Sequence, residues 1–122
     1  AEQLAFFKGL LGKELADTLA TIEQTKRTMQ ETASIADVSD WATVEEERQK
    51  NLRTLERNSG KLQKIKKALD LIAEGEYGWC DDTGAPIGIP RLLSRPTATL
   101  CIEAKQVREA KEKHVFIQRG AA

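Results

Sequence analysis

The chain has 122 residues, of which 40% are hydrophobic, 5% aromatic and 31% charged, and its formal net charge is zero. This length fits one small domain, or a finger with a small appendage, and the few aromatic residues indicate a modest core made of helix seams. No apolar run reaches the roughly 18 residues that a membrane span needs. Because the first residues lack a secretory signal pattern, we expect a cytoplasmic protein with reduced thiols.

Charge is distributed unevenly along the chain. Residues 31–47 contain six acidic and no basic side chains, whereas residues 48–67 contain eight basic side chains and one acidic side chain. An acidic segment is therefore followed by a segment of net charge +7. The basic segment is either a solvated helix face or a binding surface for an anionic partner.

The first predicted helix runs from Lys13 to about Ala33, and residues 1–10 start it or lead into it. Its apolar residues follow a heptad repeat with two seam positions. One position holds Leu15, Ile22 and Met29, and the other holds Leu11, Thr18 and Thr25. The threonines predict a thin, weakly packed seam. Gly9 and Gly12 each disfavour helix by roughly 1 kcal/mol relative to Ala, so we expect a bend or loose packing near residue 10.

The second predicted helix starts at Asp40 or Thr43, runs to about Ala73 and stops at Gly75. Thr43 and Glu46 have the spacing of a capping box, in which each side chain satisfies a free backbone N–H. The seam residues of this helix are Val44, Asn51, Leu55, Asn58, Leu62, Ile65, Leu69 and Ile72. Asparagine at a seam position fixes the register of a coiled coil at some cost in stability.

A polar stretch, residues 34–42, separates the two heptad segments. Such a break predicts that the chain turns and that the two helices pack antiparallel. About 30 residues at ~1.5 Å each then give a finger roughly 45 Å long, with the break at its tip. Asp37 and Asp40 lie in this tip, where their residue types also suit a turn or a helix cap. Trp41 is either an exposed contact residue or packs back against Val44 or Val38.

Beyond Gly75 the sequence is rich in glycine and proline up to Pro96, which predicts short hairpins and loops. A last helix is predicted from Thr97 or Thr99 to His114, with Val107 facing inward. The candidate core residues of this part are Tyr77, Trp79, Ile87, Ile89, Leu92, Leu93, Leu100 and Ile102. The predicted fold is mainly α, with a long antiparallel two-helix coiled-coil finger, a small zinc-finger-like domain and a C-terminal helix. The expected segments are 1–12 at the base, 13–74 as the finger, 75–114 as the small domain and 115–122 as a tail.

Four positions have the frame of a zinc site that has lost two ligands. Cys80 and Thr83 form one pair with the C-x-x-C spacing, and Cys101 and Ala104 form the other. A structural zinc ion needs four thiolate or imidazole ligands in a tetrahedron, and neither threonine nor alanine replaces a thiolate. We therefore predict no tightly bound metal. The two cysteines are then small core residues, or alternatively the partners of a disulfide.

Four segments carry a resemblance to a known family. They are EYGWC at 76–80, GAPIGIPRL at 84–92, RPTATLCIEAK at 95–105 and DVSDWA at 37–42. The first three resemble the C-terminal region of the DksA/TraR family, and the fourth resembles the tip of that family's coiled coil. In each C-x-x-C pair the second cysteine is replaced, by Thr83 in one pair and by Ala104 in the other, so the chain resembles a zinc-independent member of the family.

The resemblance implies a regulator that binds bacterial RNA polymerase and not DNA. We expect a monomer that does not bind a membrane. The finger would enter the secondary channel of the polymerase and alter the stability of promoter open complexes together with guanosine tetraphosphate (ppGpp). No other cofactor is implied. By position in the family motifs, the tip residues are Asp37, Asp40 and Ala42. The residues matched to ppGpp binding are Lys64, Arg95 and Lys105, and those matched to polymerase or nucleotide contacts are Arg57 and Arg91.

Two other functions compete with this one. A transcript-cleavage factor of the Gre type also presents an acidic coiled-coil tip to the polymerase, although the roughly 47 residues after the finger are few for its globular domain. A structural coiled-coil adaptor would tolerate substitutions at the tip. An enzyme is not expected, because the sequence has one histidine, no nucleophile–base set and no phosphate-binding loop.

Overall fold

The structure is a computed structural model that describes residues 2–35 and 41–121, with side chains described for residues 2–32 and 41–115. It divides into two compact units, Ala1–Asp70 and Leu71–Ala122. The described chain is almost entirely helical and contains no strand, only an isolated antiparallel bridge between Trp79 and Pro86. None of the described helices is long and apolar enough to cross a membrane.

Two helices of 34 residues each form most of the finger, α1 at Glu2–Ile35 and α2 at Trp41–Glu74. Of the two alternatives for residues 1–10, the structure has the one in which they start the first helix, and this helix continues unbroken through Gly9 and Gly12. Both glycines face open space, where a side chain would meet nothing within 4 Å. Their cost to the helix is offset by the burial of neighbouring Phe7 and Leu11.

The seam of the finger follows the predicted heptads. In α1, Leu11 is completely buried and Thr18 is 3% exposed, while Leu15, Ile22 and Met29 are half-buried. In α2 the seam positions from Val44 to Leu69 are half-buried or buried, with Ile65 fully enclosed. The predicted antiparallel finger is confirmed.

The other end of the finger is packed less tightly. Here a cavity of about 230 Å³ separates the last turns of α1 from the first turns of α2. Its lining residues are Met29, Gln30, Thr32, Val44, Arg48 and Asn51. The end of α1 thus lies beside the start of α2, as an antiparallel pair requires.

The second helix ends at the predicted glycine. Gly75 has a φ of +75° and its N–H donates to the carbonyl of Ile72 at 3.2 Å, while the N–H of Glu76 donates to the carbonyl of Leu71 at 2.9 Å. These two bonds form a Schellman motif, which satisfies the last carbonyls of a helix and requires a left-handed residue. Glycine adopts that conformation without steric cost.

The second unit contains two further helices, α3 at Ile89–Ser94 and α4 at Ile102–Ala121. We predicted hairpin and loop where α3 lies. The sequence does carry its signal, because Pro90 occupies the first turn, where its missing N–H costs nothing. The predicted last helix is confirmed with shifted ends, since α4 begins at Ile102 and extends past His114.

The core of the second unit is smaller than the sequence predicts. Its buried apolar residues are Tyr77, Cys80, Ile87, Leu92 and Ala104. The residues wrongly assigned to a core are Trp79, Ile89, Leu93, Ile102 and Val107, which are all exposed. Two of these errors, Ile89 and Leu93, lie in the short helix α3, whose buried residue is Leu92. The hydroxyl of Tyr77 donates to the carbonyl of Pro96 at 2.7 Å and anchors the loop after α3.

Candidate functional site

The predicted tip residues fall in two groups. Asp37 and Asp40 lie outside the described residues. Ala42 is in the first turn of α2 and is exposed. Beside it, the side chain of Trp41 is 67% exposed, which favours the contact-residue interpretation over packing against Val44.

The basic side chains of α2 present their charges to solvent. Arg57 and Lys64, the two predicted site residues of this segment, are both exposed. They are seven residues apart, so they lie on the same face of the helix two turns from each other. Arg48 pairs with Glu45 at 3.7 Å, on the solvated surface where such a contact contributes little to stability.

The second unit holds the other three predicted cations. Arg91 is half-buried in α3, and its Nε donates to the carbonyl of Leu100 at 2.7 Å. Arg95 caps the C-terminus of the same helix and is exposed, so α3 brings these two arginines together one turn apart. Lys105, in the first turns of α4, lies 3.8 Å from the carboxylate of Glu109. Arg91 thus has a structural hydrogen bond in addition to its charge.

The two cysteines and Thr83 lie together in the second unit. Cys80 is buried and Cys101 half-buried, and neither forms a disulfide. The Oγ1 of Thr83 lies 3.9 Å from the Sγ of Cys101 and accepts the N–H of Ala85 at 3.2 Å. A hydrogen bond from the Thr83 hydroxyl lowers the pKa of the Cys80 thiol to about 6 against the opposing effect of burial, and backbone N–H groups, first that of Cys101, act in the same direction.

Only two of the four positions, Cys80 and Cys101, carry a residue type that ligates structural zinc. Ala104, at the fourth position, is 4% exposed and has no donor atom, and a neutral hydroxyl at Thr83 is a poor replacement for a thiolate. Within the described part of the chain, no three His, Cys, Asp or Glu residues are grouped so as to hold a metal ion. The four positions by themselves therefore do not supply the four ligands of a structural zinc ion.

An ion pair joins the same two segments that the missing ligands would have joined. The Nε of Arg108 in α4 donates to Oδ2 of Asp82 at 2.7 Å, and its Nη2 donates to Oδ1. This bidentate hydrogen bond holds the pKa of Asp82 below its ordinary value. Sequence reasoning missed the pair, because its partners are 26 residues apart and no local pattern links them.

The chain combines a two-helix finger with a small unit in which Thr83 and Ala104 stand at two of the four cysteine positions of a zinc finger. This architecture is that of the DksA/TraR class of proteins. Residues 3–72 match the N-terminal domain family of the DnaK suppressor protein DksA, and residues 75–110 match the prokaryotic dksA/traR C4-type zinc finger. The chain belongs to the DksA family.

Curated relatives and a solved structure agree with this assignment. A protein of Caulobacter vibrioides named RNA polymerase-binding transcription factor DksA is 39% identical over 112 residues, which are 91% of this chain and 79% of the relative. The protein of the same name in Escherichia coli K12 is 37% identical over 114 residues, covering 93% and 76% of the two chains. The structure of transcription factor DksA2 from Pseudomonas aeruginosa superposes with a TM-score of 0.89 at 46% identity, over 93% of this chain and 88% of the other. These relatives are named as transcription factors and not as enzymes.

Proposed function

We propose that this protein binds RNA polymerase in the cytoplasm as a monomer, inserts the tip of its finger into the secondary channel and changes the stability of promoter open complexes. The observation that carries the proposal is the finger itself, in a chain of the DksA family. Helices of 34 residues extend about 50 Å at 1.5 Å per residue. A probe of that length delivers negative charge to a depth that a globular surface does not reach.

Asp37 and Asp40 are assigned the active role at the tip, with Ala42 and exposed Trp41 beside them. A carboxylate brought close to cations or to a metal ion in a narrow channel is worth more than in water, because the low dielectric strengthens the attraction. Regulation needs only a difference in affinity between two promoter states. A difference of about 1.4 kcal/mol shifts their ratio about tenfold.

The test is Asp40→Asn, which removes the charge while keeping the size and capping ability of the residue. We expect promoter effects to be lost in a transcription assay with purified polymerase while binding to the polymerase is largely retained. The matched control is Glu56→Gln, which removes one carboxylate from the middle of α2 instead of from the tip. If the Asp40→Asn variant regulates promoters as the wild-type protein does, the tip has no active role. The structural coiled-coil adaptor would then remain as the alternative.

The cations are assigned to the co-regulator. We propose that Lys64, Arg95 and Lys105 contact ppGpp at the polymerase, with Arg57 and Arg91 as polymerase or nucleotide contacts. The supporting observation is that Arg57, Lys64 and Arg95 are exposed and that guanidinium groups bind phosphates bidentately. Lys64→Ala should reduce the response to added ppGpp, whereas Lys50→Ala, an exposed lysine of the same helix, should not. Equal responses in both variants would remove Lys64 from the site.

We further propose that the protein works without structural zinc, which the mismatched positions Thr83 and Ala104 support. Metal analysis of the purified protein should find less than one zinc per chain. Thermal unfolding should be the same with and without a chelator of divalent ions. One zinc ion per chain, or a melting temperature that the chelator lowers, would contradict the proposed independence from zinc. Neither result would affect the proposed action on RNA polymerase.

The Gre-type alternative is separated by a cleavage assay on backtracked polymerase complexes. We expect no stimulated cleavage of the transcript. Stimulated cleavage that Asp40→Asn abolishes would assign the tip to that reaction instead.

A further inference from the structure

Side-chain hydrogen bonds compete with the helical backbone in the middle of the finger. Among the described residues, five side chains of the finger donate to the backbone carbonyl four positions earlier in the same helix. They are Thr21, Thr25 and Thr28 of α1, at 3.0, 2.8 and 3.0 Å, and Thr54 and Asn58 of α2, at 3.1 and 2.8 Å. A carbonyl that accepts such a bond shares its oxygen between a side chain and the helix, which weakens the helix slightly and favours a bend.

The second helix has weak helix-forming residues directly after these bonds. Asn58, Ser59 and Gly60 are consecutive, and each has a lower helix propensity than the leucines, lysines and glutamates that make up much of α2. Gly60 is exposed, and a side chain at its position would meet nothing within 4 Å. Close packing therefore does not require a glycine here, and a glycine–serine pair inside a helix is a recognised site of kinks.

These features lie at the same level of the two helices. At the far end of the finger, the cavity places residues 29–32 of α1 beside residues 44–51 of α2. Both helices rise about 1.5 Å per residue, so counting back from the cavity brings residues 17–28 of α1 beside roughly residues 50–60 of α2. The weak points of one helix are therefore not braced by a strong segment of the other.

The seam between the helices gives little resistance to bending at this level. The hydroxyl of Thr18 is buried and has no hydrogen-bond partner among the described residues. Ile22 and Leu55, which are apolar seam residues here, are only half-buried. Seam positions 51 and 58 hold asparagine, which packs less favourably than an apolar residue.

We propose that the finger bends at this level, so that the half that carries the tip changes direction relative to the half that carries the buried core. The joint is defined as residues 17–28 of α1 and 50–60 of α2. Bending there leaves the core intact, because the largest fully buried side chains, Leu11 and Ile65, lie outside the joint. The use of the joint, which is to let the tip adjust its direction inside the polymerase, rests on the proposed function.

Residual dipolar couplings of the backbone N–H groups test the joint in the free full-length chain. In a weakly aligning medium, a rigid finger gives one degree of alignment along the whole of α2. A joint gives a step, with smaller couplings for residues 42–49 than for residues 61–72. Gly60→Ala should reduce the step, because alanine favours the straight helix over the bent conformation. The control is Gly12→Ala, the same change at an exposed glycine of α1 outside the joint, which should leave the step unchanged.

Fraying of the tip would give a different profile, because the couplings would then decrease gradually towards residue 42 instead of changing at the joint. The proposal is overturned if all of α2 shares one degree of alignment or if the decrease is gradual. It is also overturned if Gly60→Ala leaves the step as large as in wild type.

A transcription assay with purified polymerase tests the use of the joint. If the tip acts from the bent conformation, its apparent affinity falls in proportion to the population of that conformation. Gly60→Ala should therefore need about five times the wild-type concentration for its half-maximal promoter effect, the ratio that the helix propensities of glycine and alanine give. Gly12→Ala should match wild type. An unchanged concentration for Gly60→Ala would overturn the use of the joint, whereas failure of the proposed function is measured separately with Asp40→Asn.

Discussion

Replacing Thr18 by valine should stabilise the finger, because the hydroxyl of this residue is buried without a partner. The side chain is 3% exposed, and its Oγ1 has no hydrogen-bond partner among the described residues. It occupies a seam position where Leu11 and Ile65 show that the seam is closed to water. A buried polar atom without a hydrogen bond costs about 1–3 kcal/mol, and valine fills nearly the same shape without that atom.

The expected gain for Thr18→Val is about 1–2 kcal/mol in the free energy of unfolding, since the helix propensities of the two residues are close. For a chain of this size, that corresponds to a rise in Tm of about 4–8 °C. The assay is urea unfolding followed by the helical circular dichroism signal, with the midpoint and the slope fitted together.

The control is Thr21→Val on the same helix. Thr21 is exposed and its Oγ1 donates to the carbonyl of Asp17 at 3.0 Å, so its replacement should change the stability by less than about 0.5 kcal/mol. A Thr18→Val variant that is less stable than wild type, or that behaves like Thr21→Val, would refute the assignment of an unsatisfied buried hydroxyl.

Three further predictions concern the second unit. Thr83→Cys combined with Ala104→Cys restores four thiols, so the double variant should hold one zinc per chain and melt lower in a chelator, whereas Thr83→Cys alone should not. The pKa of the Cys80 thiol, lowered from 9.0 to about 6 in the folded chain, implies a stabilisation that is complete above pH 9 and lost as the pH falls through 6. The ultraviolet thiolate absorbance of a Cys101→Ser background should titrate near 6, and a midpoint near 9 would contradict this. Arg108→Ala should lower the stability of the second unit at neutral pH and raise the pKa of Asp82. Because the pKa of Asp82 is depressed from 3.8 in the folded chain, the difference from wild type should vanish once acid protonates Asp82. A difference that is independent of pH would point to lost packing instead.

The helices of the finger could be predicted from the sequence because their signals are local. Heptad spacing located the seam from Leu11 to Leu69, and Gly75 marked the end of the second helix. The sequence left open whether residues 1–10 belong to α1, because Gly9 and Gly12 weaken the local helix signal while the compensating burial of Phe7 comes from tertiary packing.

The second unit was less predictable for a physical reason. Its segments are short, so hydrophobicity alone does not show which apolar side chains are enclosed, and Trp79 and Ile102 proved exposed. The pair of Asp82 and Arg108 depends on contacts between distant segments, which no periodicity encodes. The degenerate metal positions were visible because their spacing is itself a local pattern, although the convergence of Thr83 on both sulfurs required the structure.

The uneven packing of the finger has a consequence for how it opens. Within the described part of the first unit, every buried residue lies at one end, between Phe7 and Thr18 on α1 and between Ile65 and Ala68 on α2. The opposite end has the cavity beside Met29 and Val44. Local unfolding begins where few apolar groups are enclosed, so amide hydrogens should exchange fastest there and more slowly towards the base. We therefore expect the finger to be rigid at its base and more easily deformed at its tip, which is the end that would enter the proposed channel.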